Sequence, residues 1–230
     1  MLKGTITKGI GGFYYISTDN GVYECRARGR FRKEGIKPTV GDSVKISVLD
    51  EKNKKGSLDE IEPRKNYLIR PRVANIDQAV IVFASVGPAF NPDIMDRSIV
   101  LAEQQGLDII ICINKIDIDS NEKYKEIFEI YQSAGFDVLK VSAVENIGSD
   151  ELFKRLRGKI SVLAGPSGVG KSSILNMIFP DIAAKVGEIS RKIERGKHTT
   201  RQSELIELDK DTYLVDSPGF TSLDMSGIDP

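Results

Sequence analysis

Histidine and cysteine are scarce in this chain: one histidine, His198, and two cysteines, Cys25 and Cys112, among 230 residues. That inventory is too small for a structural zinc site of the usual Cys and His types. Cys112 lies in the apolar run Ile109–Ile113, which gives it the part of a small core residue. Two thiols without a disulfide framework point to a reducing, cytoplasmic setting. No apolar run approaches the length of a membrane span, and the start Met1-Leu2-Lys3-Gly4-Thr5 lacks the apolar core of a signal peptide. Internal repeats and low-complexity tracts are missing as well. Net charge is zero, with 33 Lys+Arg against 33 Asp+Glu, but the balance is uneven. Residues 1–66 hold 14 basic and 9 acidic side chains, a surplus of +5, so the remainder carries −5. Such asymmetry points to a polyanionic partner for the N-terminal part.

What is present suffices for a real core: 40% of the residues are hydrophobic, in a length that fits one large domain or two smaller ones. Residues 1–66 read as short strands, at Gly4–Lys8, Gly12–Thr18, Gly21–Arg28, Ser43–Val48 and near Leu58–Ile61, punctuated by glycine and Asp-Asn turns. Five short strands with no long helix predict a small all-β barrel of the OB type, a fold that often grips oligonucleotides. Within it Arg26, Arg28, Arg30 and Arg32 recur every second residue, so persistent strand geometry would place them on one face. That stripe reads either as a set of phosphate contacts or as a charged edge kept from aggregating.

Glu62–Asn66 reads as a linker, and residues 67–230 form a second domain. Strands are expected at Ile76–Ser85, Leu107–Ile113, Asp137–Val141, Ile160–Ala164, Ser203–Leu208 and Thr212–Val215. Helices are expected at Asp93–Gln105, Asn121–Ala134, Ser149–Leu156 with Ser149 as its cap, and Ser173–Phe179. The alternation predicts an α/β domain with a mostly parallel sheet covered on both faces. Lys185–Arg201, basic and poor in core residues, is expected to be a loop.

The second domain is organised around Gly165-Pro166-Ser167-Gly168-Val169-Gly170-Lys171-Ser172, followed by Ser173, which fits the P-loop pattern G-x-x-x-x-G-K-[ST]. It stands between an apolar strand and a helical run, where glycines and unpaired helix N–H groups can wrap an anion. Lys171 would reach the β- and γ-phosphates, and the Ser172 hydroxyl would ligate Mg²⁺. Asn114-Lys115-Ile116-Asp117 fits N-K-x-D, the guanine-reading pattern of GTPases. A carboxylate at Asp117 can accept from guanine N1–H and the 2-amino group, a donor pair adenine lacks, so ATP would leave it unpaired. Asn114 would tie the base to the P-loop, the Lys115 stem would cover the base, and Ser142-Ala143 fits the loop that meets guanine O6. Asp216-Ser217-Pro218-Gly219 fits D-x-x-G, with Asp216 at Mg²⁺ and the Gly219 N–H at the γ-phosphate. In Gly196-Lys197-His198-Thr199-Thr200, either Thr199 or Thr200 supplies a further Mg²⁺ ligand. The residue after D-x-x-G is Phe220, where Ras-type GTPases carry a water-orienting glutamine. His198 is the candidate substitute; the competing reading leaves it on a solvated basic loop.

The motif order is unusual. N-K-I-D and Ser-Ala precede the P-loop, the threonine loop and D-S-P-G, which makes the domain a circular permutation of an ordinary GTPase. An OB-like module followed by a permuted G domain resembles the ribosome small-subunit-dependent GTPase A family, RsgA or YjeQ. Gly165–Ser172, Asn114–Asp117, Gly196–Thr200 and Asp216–Gly219 carry the resemblance, with Arg70–Asp77 in support, and it covers essentially the whole chain. It implies a GTPase that works with GTP or GDP and Mg²⁺ on the 30S subunit and its 16S rRNA in late assembly. It implies stimulation of hydrolysis by the ribosome, and a cytoplasmic protein without a membrane partner, expected as a monomer. The family also carries a zinc-bearing C-terminal segment that this sequence lacks. The alternatives are a nucleotide-gated rRNA-binding switch with negligible hydrolysis, or a permuted GTPase of another ribosome-assembly family; the N-terminal module argues against the latter.

Overall fold

A computed structural model describes residues 1–69, 72–180 and 203–216. Strands β1 (Leu2–Ile10), β2 (Phe13–Thr18), β3 (Gly21–Ala27), β4 (Ser43–Asp50) and β5 (Lys55–Ile61) close a barrel in the order β1-β2-β3-β5-β4. β1 pairs antiparallel with β4 to shut it, and β3 with β5 is the parallel pair. Alternation along the strands supplies the interior: Ile6, Ile16, Tyr23, Cys25, Ile46 and Leu58 are fully buried. A short helix, α1 (Gly29–Lys33), fills the connection between β3 and β4.

That helix corrects the arginine stripe. β3 ends at Ala27, Arg28 stands at the helix N-cap, and Arg30 and Arg32 lie on helical backbone, so the four side chains do not share one strand face. The cause is Phe31, which is 4% exposed and is held by a turn in which the Ile36 N–H donates to its carbonyl. Arg26 stacks on the Phe13 ring at 4.5 Å, and Arg28 pairs with the buried Asp59 at 2.6 Å. Arg30 donates to the Asp59 carbonyl and lies over Phe31, and Arg32 is exposed.

Beyond β5, a two-stranded ribbon of β6 (Tyr67–Leu68) and β7 (Val73–Ala74) follows. It packs with the barrel: the Ala74 N–H donates to the Val40 carbonyl at 2.9 Å and the Asn75 amide to the Gly41 carbonyl at 2.9 Å. The chain divides into two compact units, one running from Met1 to Ile76 and the other starting at Asp77; residues 203–207 and 214–216 group with the first. The sequence pattern puts the boundary after residue 66, ahead of the β6–β7 ribbon that bonds to the barrel.

The remaining strands are β8 (Gln78–Ala84), β9 (Asp108–Asn114), β10 (Asp137–Lys140), β11 (Ile160–Ala164), β12 (Glu204–Asp209) and β13 (Thr212–Asp216). They form one six-stranded sheet in the order β10-β9-β8-β11-β13-β12. The pairs β10/β9, β9/β8 and β8/β11 are parallel. Every residue of β8 is buried, as a strand covered on both faces requires. Helices α2 (Pro92–Gln104), α3 (Lys123–Ser133), α4 (Ser149–Leu156) and α5 (Lys171–Ile178) make the crossovers. Asn91 caps α2 by accepting from the Ile94 N–H at 3.4 Å, with Pro92 following. Ser149 is not the cap of α4: Gly148, left-handed at φ 80°, takes that place without a side-chain bond.

Candidate functional site

The connections at the carboxyl ends of β9, β10 and β11 carry the sequence motifs, which is where open α/β sheets gather ligands. The P-loop runs from β11 to the first turn of α5. Its fold depends on two close approaches. A Cβ at Gly165, where φ is +133°, would lie 2.1 Å from the Val82 carbonyl oxygen. At Gly170, φ +97°, it would lie 2.3 Å from the Asn114 amide nitrogen. Both positions therefore require glycine for space as well as for backbone conformation. Val169 points the other way: it is 1% exposed and packs in the core with Val82, Ile174 and Phe179. Its side chain anchors the loop, so only its backbone is available to a ligand. Ser167, Gly168, Ser172 and Ser173 are exposed, the two last in the opening turn of α5.

Lys171 folds back on the loop. Its Nζ donates to the carbonyls of Gly165 at 2.6 Å and Pro166 at 2.7 Å. Burial pushes the Lys171 ammonium below the usual lysine range. An anion in the loop would reverse that tendency by favouring the charged form.

Asn114, 1% exposed at the end of β9, is the hub between three loops. Its amide donates to the Val169 carbonyl at 2.9 Å, and its side-chain oxygen accepts from the Ala143 N–H at 3.2 Å. Lys115 takes the left-handed conformation, φ 65°, and its Nζ donates to the Gly168 carbonyl at 2.7 Å and to the Gly87 carbonyl. Asp117 follows in a 3-10 turn over Ile116–Ile118, with an exposed carboxylate that accepts from the buried Ser142 hydroxyl at 2.6 Å. Asn114, Lys115, Asp117, Ser142 and Ala143 are thus brought together, and the first two are joined directly to the P-loop. The contact of Lys115 with Gly87 has no signature in the sequence: the loop after β8 carries no motif, and only its position in space discloses it.

Asp216 closes β13. His198, Thr199, Thr200 and Gly219 lie outside the described residues. Mg²⁺ is compatible with what is described: the exposed Ser172 hydroxyl is an oxygen donor of the hard kind that Mg²⁺ takes. Among the described residues no three His, Cys, Asp or Glu side chains converge, so these residues offer no zinc cluster. Among them, too, no helix is long and apolar enough to cross a membrane.

A P-loop, an N-K-x-D loop and a Ser-Ala loop on one parallel sheet define a P-loop GTPase domain. Here the motif order is permuted and the domain follows an OB-type barrel. The chain belongs to the RsgA family: the family model described as RsgA GTPase matches residues 61–226, and that described as RsgA N-terminal domain matches residues 3–57. It is accordingly a GTPase, a hydrolase of GTP. A relative from Alkaliphilus metalliredigens, named small ribosomal subunit biogenesis GTPase RsgA, is 49% identical over 98% of this chain and 77% of its own. One of the same name from Caldanaerobacter subterraneus is 47% identical over 97% of this chain and 75% of its own. The crystal structure of YjeQ from Thermotoga maritima superposes with a TM-score of 0.83 at 33% identity, covering 97% of this chain and 77% of that one. YloQ, described as a circularly permuted GTPase, gives 0.80 at 35% identity, covering 99% and 75%.

Proposed function

We propose that this chain acts on the small ribosomal subunit during its biogenesis, binding GTP with Mg²⁺ and hydrolysing it in response to that subunit. The names of the relatives support the biological setting. The observation that carries the nucleotide reading is the Asn114 hub, which ties the Ala143 loop to the P-loop. In this reading the P-loop N–H groups from Gly165 to Ser173 cradle the phosphates, and Lys171 turns from the Gly165 and Pro166 carbonyls to the β- and γ-phosphates. Asp117 reads the guanine edge, Ala143 its O6, and the Lys115 stem covers its face. Ser172, Asp216 and one of Thr199 and Thr200 hold Mg²⁺, which neutralises charge between the phosphates. The Gly219 N–H senses the γ-phosphate, and His198 orients the attacking water.

The barrel is the part that meets 16S rRNA, with Arg26, Arg28, Arg30 and Arg32 on its surface as phosphate contacts. The basic surplus of residues 1–66 supports this. The protein works as a cytoplasmic monomer. Two measurements test the proposal together: GTP turnover with and without 30S subunits, and pelleting with 30S or 50S subunits in the presence of GDP or a non-hydrolysable GTP analogue. Stimulation by 30S, and retention on 30S favoured by the analogue, are expected. Turnover indifferent to 30S, or equal retention on 50S, would defeat it.

A further inference from the structure

A groove of about 1100 Å³ runs between α2 and α3, and the nucleotide motifs take no part in lining it. Phe90, Ile99, Ile127 and Tyr131 supply its apolar surface. The aromatic members are braced edge to face, Phe83 to Phe90 at 5.7 Å and Phe90 to Tyr131 at 6.4 Å between centroids, so the surface is preformed. Val100 and Ile130 also line it from the facing helices and are 46% and 54% exposed, so the groove is bordered by accessible aliphatic side chains. Ser85, at the end of β8, is 4% exposed and lines the groove with a hydroxyl that has no hydrogen-bond partner among the described residues. A buried hydroxyl in that state costs free energy until something bonds to it. The charged groups around the groove are Asp96, Glu103 and Glu126 against Lys123, a balance of −2.

We propose that this groove receives a basic amphipathic helix from a partner protein, and that occupancy is felt at the P-loop. The volume exceeds the roughly 300–1,000 Å³ of ordinary small-ligand clefts, and a channel between two helices suits a third helix laid into it. The acidic balance selects a cationic partner. It repels nucleic acid and anionic lipid, and it would set acid against acid if a second copy of this chain docked by two-fold symmetry. The route to the nucleotide is short: Gly87 lines the groove, and its carbonyl accepts from Lys115 Nζ, which also holds the Gly168 carbonyl of the P-loop. A helix that shifts Gly87 loosens or tightens that clamp.

The probe is a fluorescent helical peptide of about 18 leucine and lysine residues with one apolar face. The controls are the same peptide with lysine replaced by glutamate and a scrambled leucine–lysine sequence of equal charge. Binding to the full chain loaded with GDP is measured by anisotropy, and the site is mapped by amide hydrogen exchange. The basic helix is expected to bind at least tenfold more tightly than either control and to protect α2 and α3. Ile130→Glu and Val100→Glu, both at exposed positions, should each weaken binding at least tenfold with an unchanged thermal midpoint. Bound peptide should change the GDP release rate severalfold, and that change should vanish in Ile130→Glu. Equal binding of the acidic or scrambled peptide, protection elsewhere, or undiminished binding by both variants overturns the docking site. So does a concentration-dependent dimer abolished by Val100→Glu. Tight binding with unaltered GDP release overturns the coupling to the P-loop.

Discussion

Asp117 shows how much of the proposed chemistry rests on single atoms. The Ser142 hydroxyl fixes its carboxylate by a 2.6 Å bond, so the acceptor edge is oriented before any base arrives. The prediction is that Asp117→Asn turns preference from GTP toward xanthosine triphosphate, because an amide can donate to the xanthine 2-oxo group. Competition binding checks it, and continued preference for GTP would remove Asp117 from base reading. His198 carries a second prediction, argued from sequence alone. With Phe220 unable to hydrogen-bond water, the imidazole beside Thr199 is the group placed to orient it. His198→Ala should lower 30S-stimulated turnover about tenfold or more, roughly 1.4 kcal/mol on the barrier, with GTP affinity held. Stimulated turnover at the wild-type rate would rule the residue out.

On the scale of one element, α1 separates arginines that look alike in sequence. Arg28 neutralises Asp59, whose side chain is 3% exposed, whereas Arg32 is an exposed residue of the helix. Removing the first leaves a buried carboxylate short of its cation; removing the second leaves nothing uncompensated. Arg28→Ala should therefore destabilise the chain by about 1–3 kcal/mol in urea unfolding. Arg32→Ala should stay within about 0.5 kcal/mol. If the barrel meets rRNA, Arg32→Ala should lower the slope of log affinity for 30S against log salt by about 0.7 to 0.9. Equal stability losses in the two variants would contradict the pairing, and an unchanged slope would leave Arg32 out of the RNA contact. The contrast was hidden because a period of two among charged residues fits a strand, yet says nothing about Phe31 beside them. Burial of Phe31 fixed the helix, and the helix distributed the arginines.

Across the whole molecule the two thiols report on both compact units, Cys25 in the barrel and Cys112 in β9. Burial, with Asp59 nearby, pushes the Cys25 thiol up to about 11. Burial, with Asp137 adding to it, pushes Cys112 up to about 12. At pH 8 about one Cys25 in a thousand is thiolate, and fewer still at Cys112, so the folded protein should resist a thiol reagent that modifies both after denaturation. The sign of the pH effect follows. Folded values above the ordinary thiol range mean that folding favours the protonated form. That stability is complete below about pH 8.5, then declines as pH rises toward 11 and 12. Chemical unfolding between pH 8 and 10.5 should show the decline, and Cys112→Ala should reduce its slope. Rapid modification of the native chain at pH 8 would refute the burial of both thiols.

The class of the protein is legible in its sequence. Glycine spacing, a lysine and serine at a helix start and N-K-x-D at a strand end are local demands of nucleotide chemistry. They stay legible wherever the chain is cut, which is why the permuted order could be read directly. Alternating apolar residues likewise disclosed the barrel strands, since each strand needs only its own pattern to show which face is buried. The remaining features follow from contacts made on folding. It turned Val169 from a loop residue into a core anchor, placed Asn114 between the Val169 carbonyl and the Ala143 N–H, and gave Lys115 a second partner in Gly87. It also left Val100 and Ile130 exposed along the groove between α2 and α3. Each of these depends on which distant residues meet, and pairings across some 30 to 80 positions of chain leave no periodic trace in either segment.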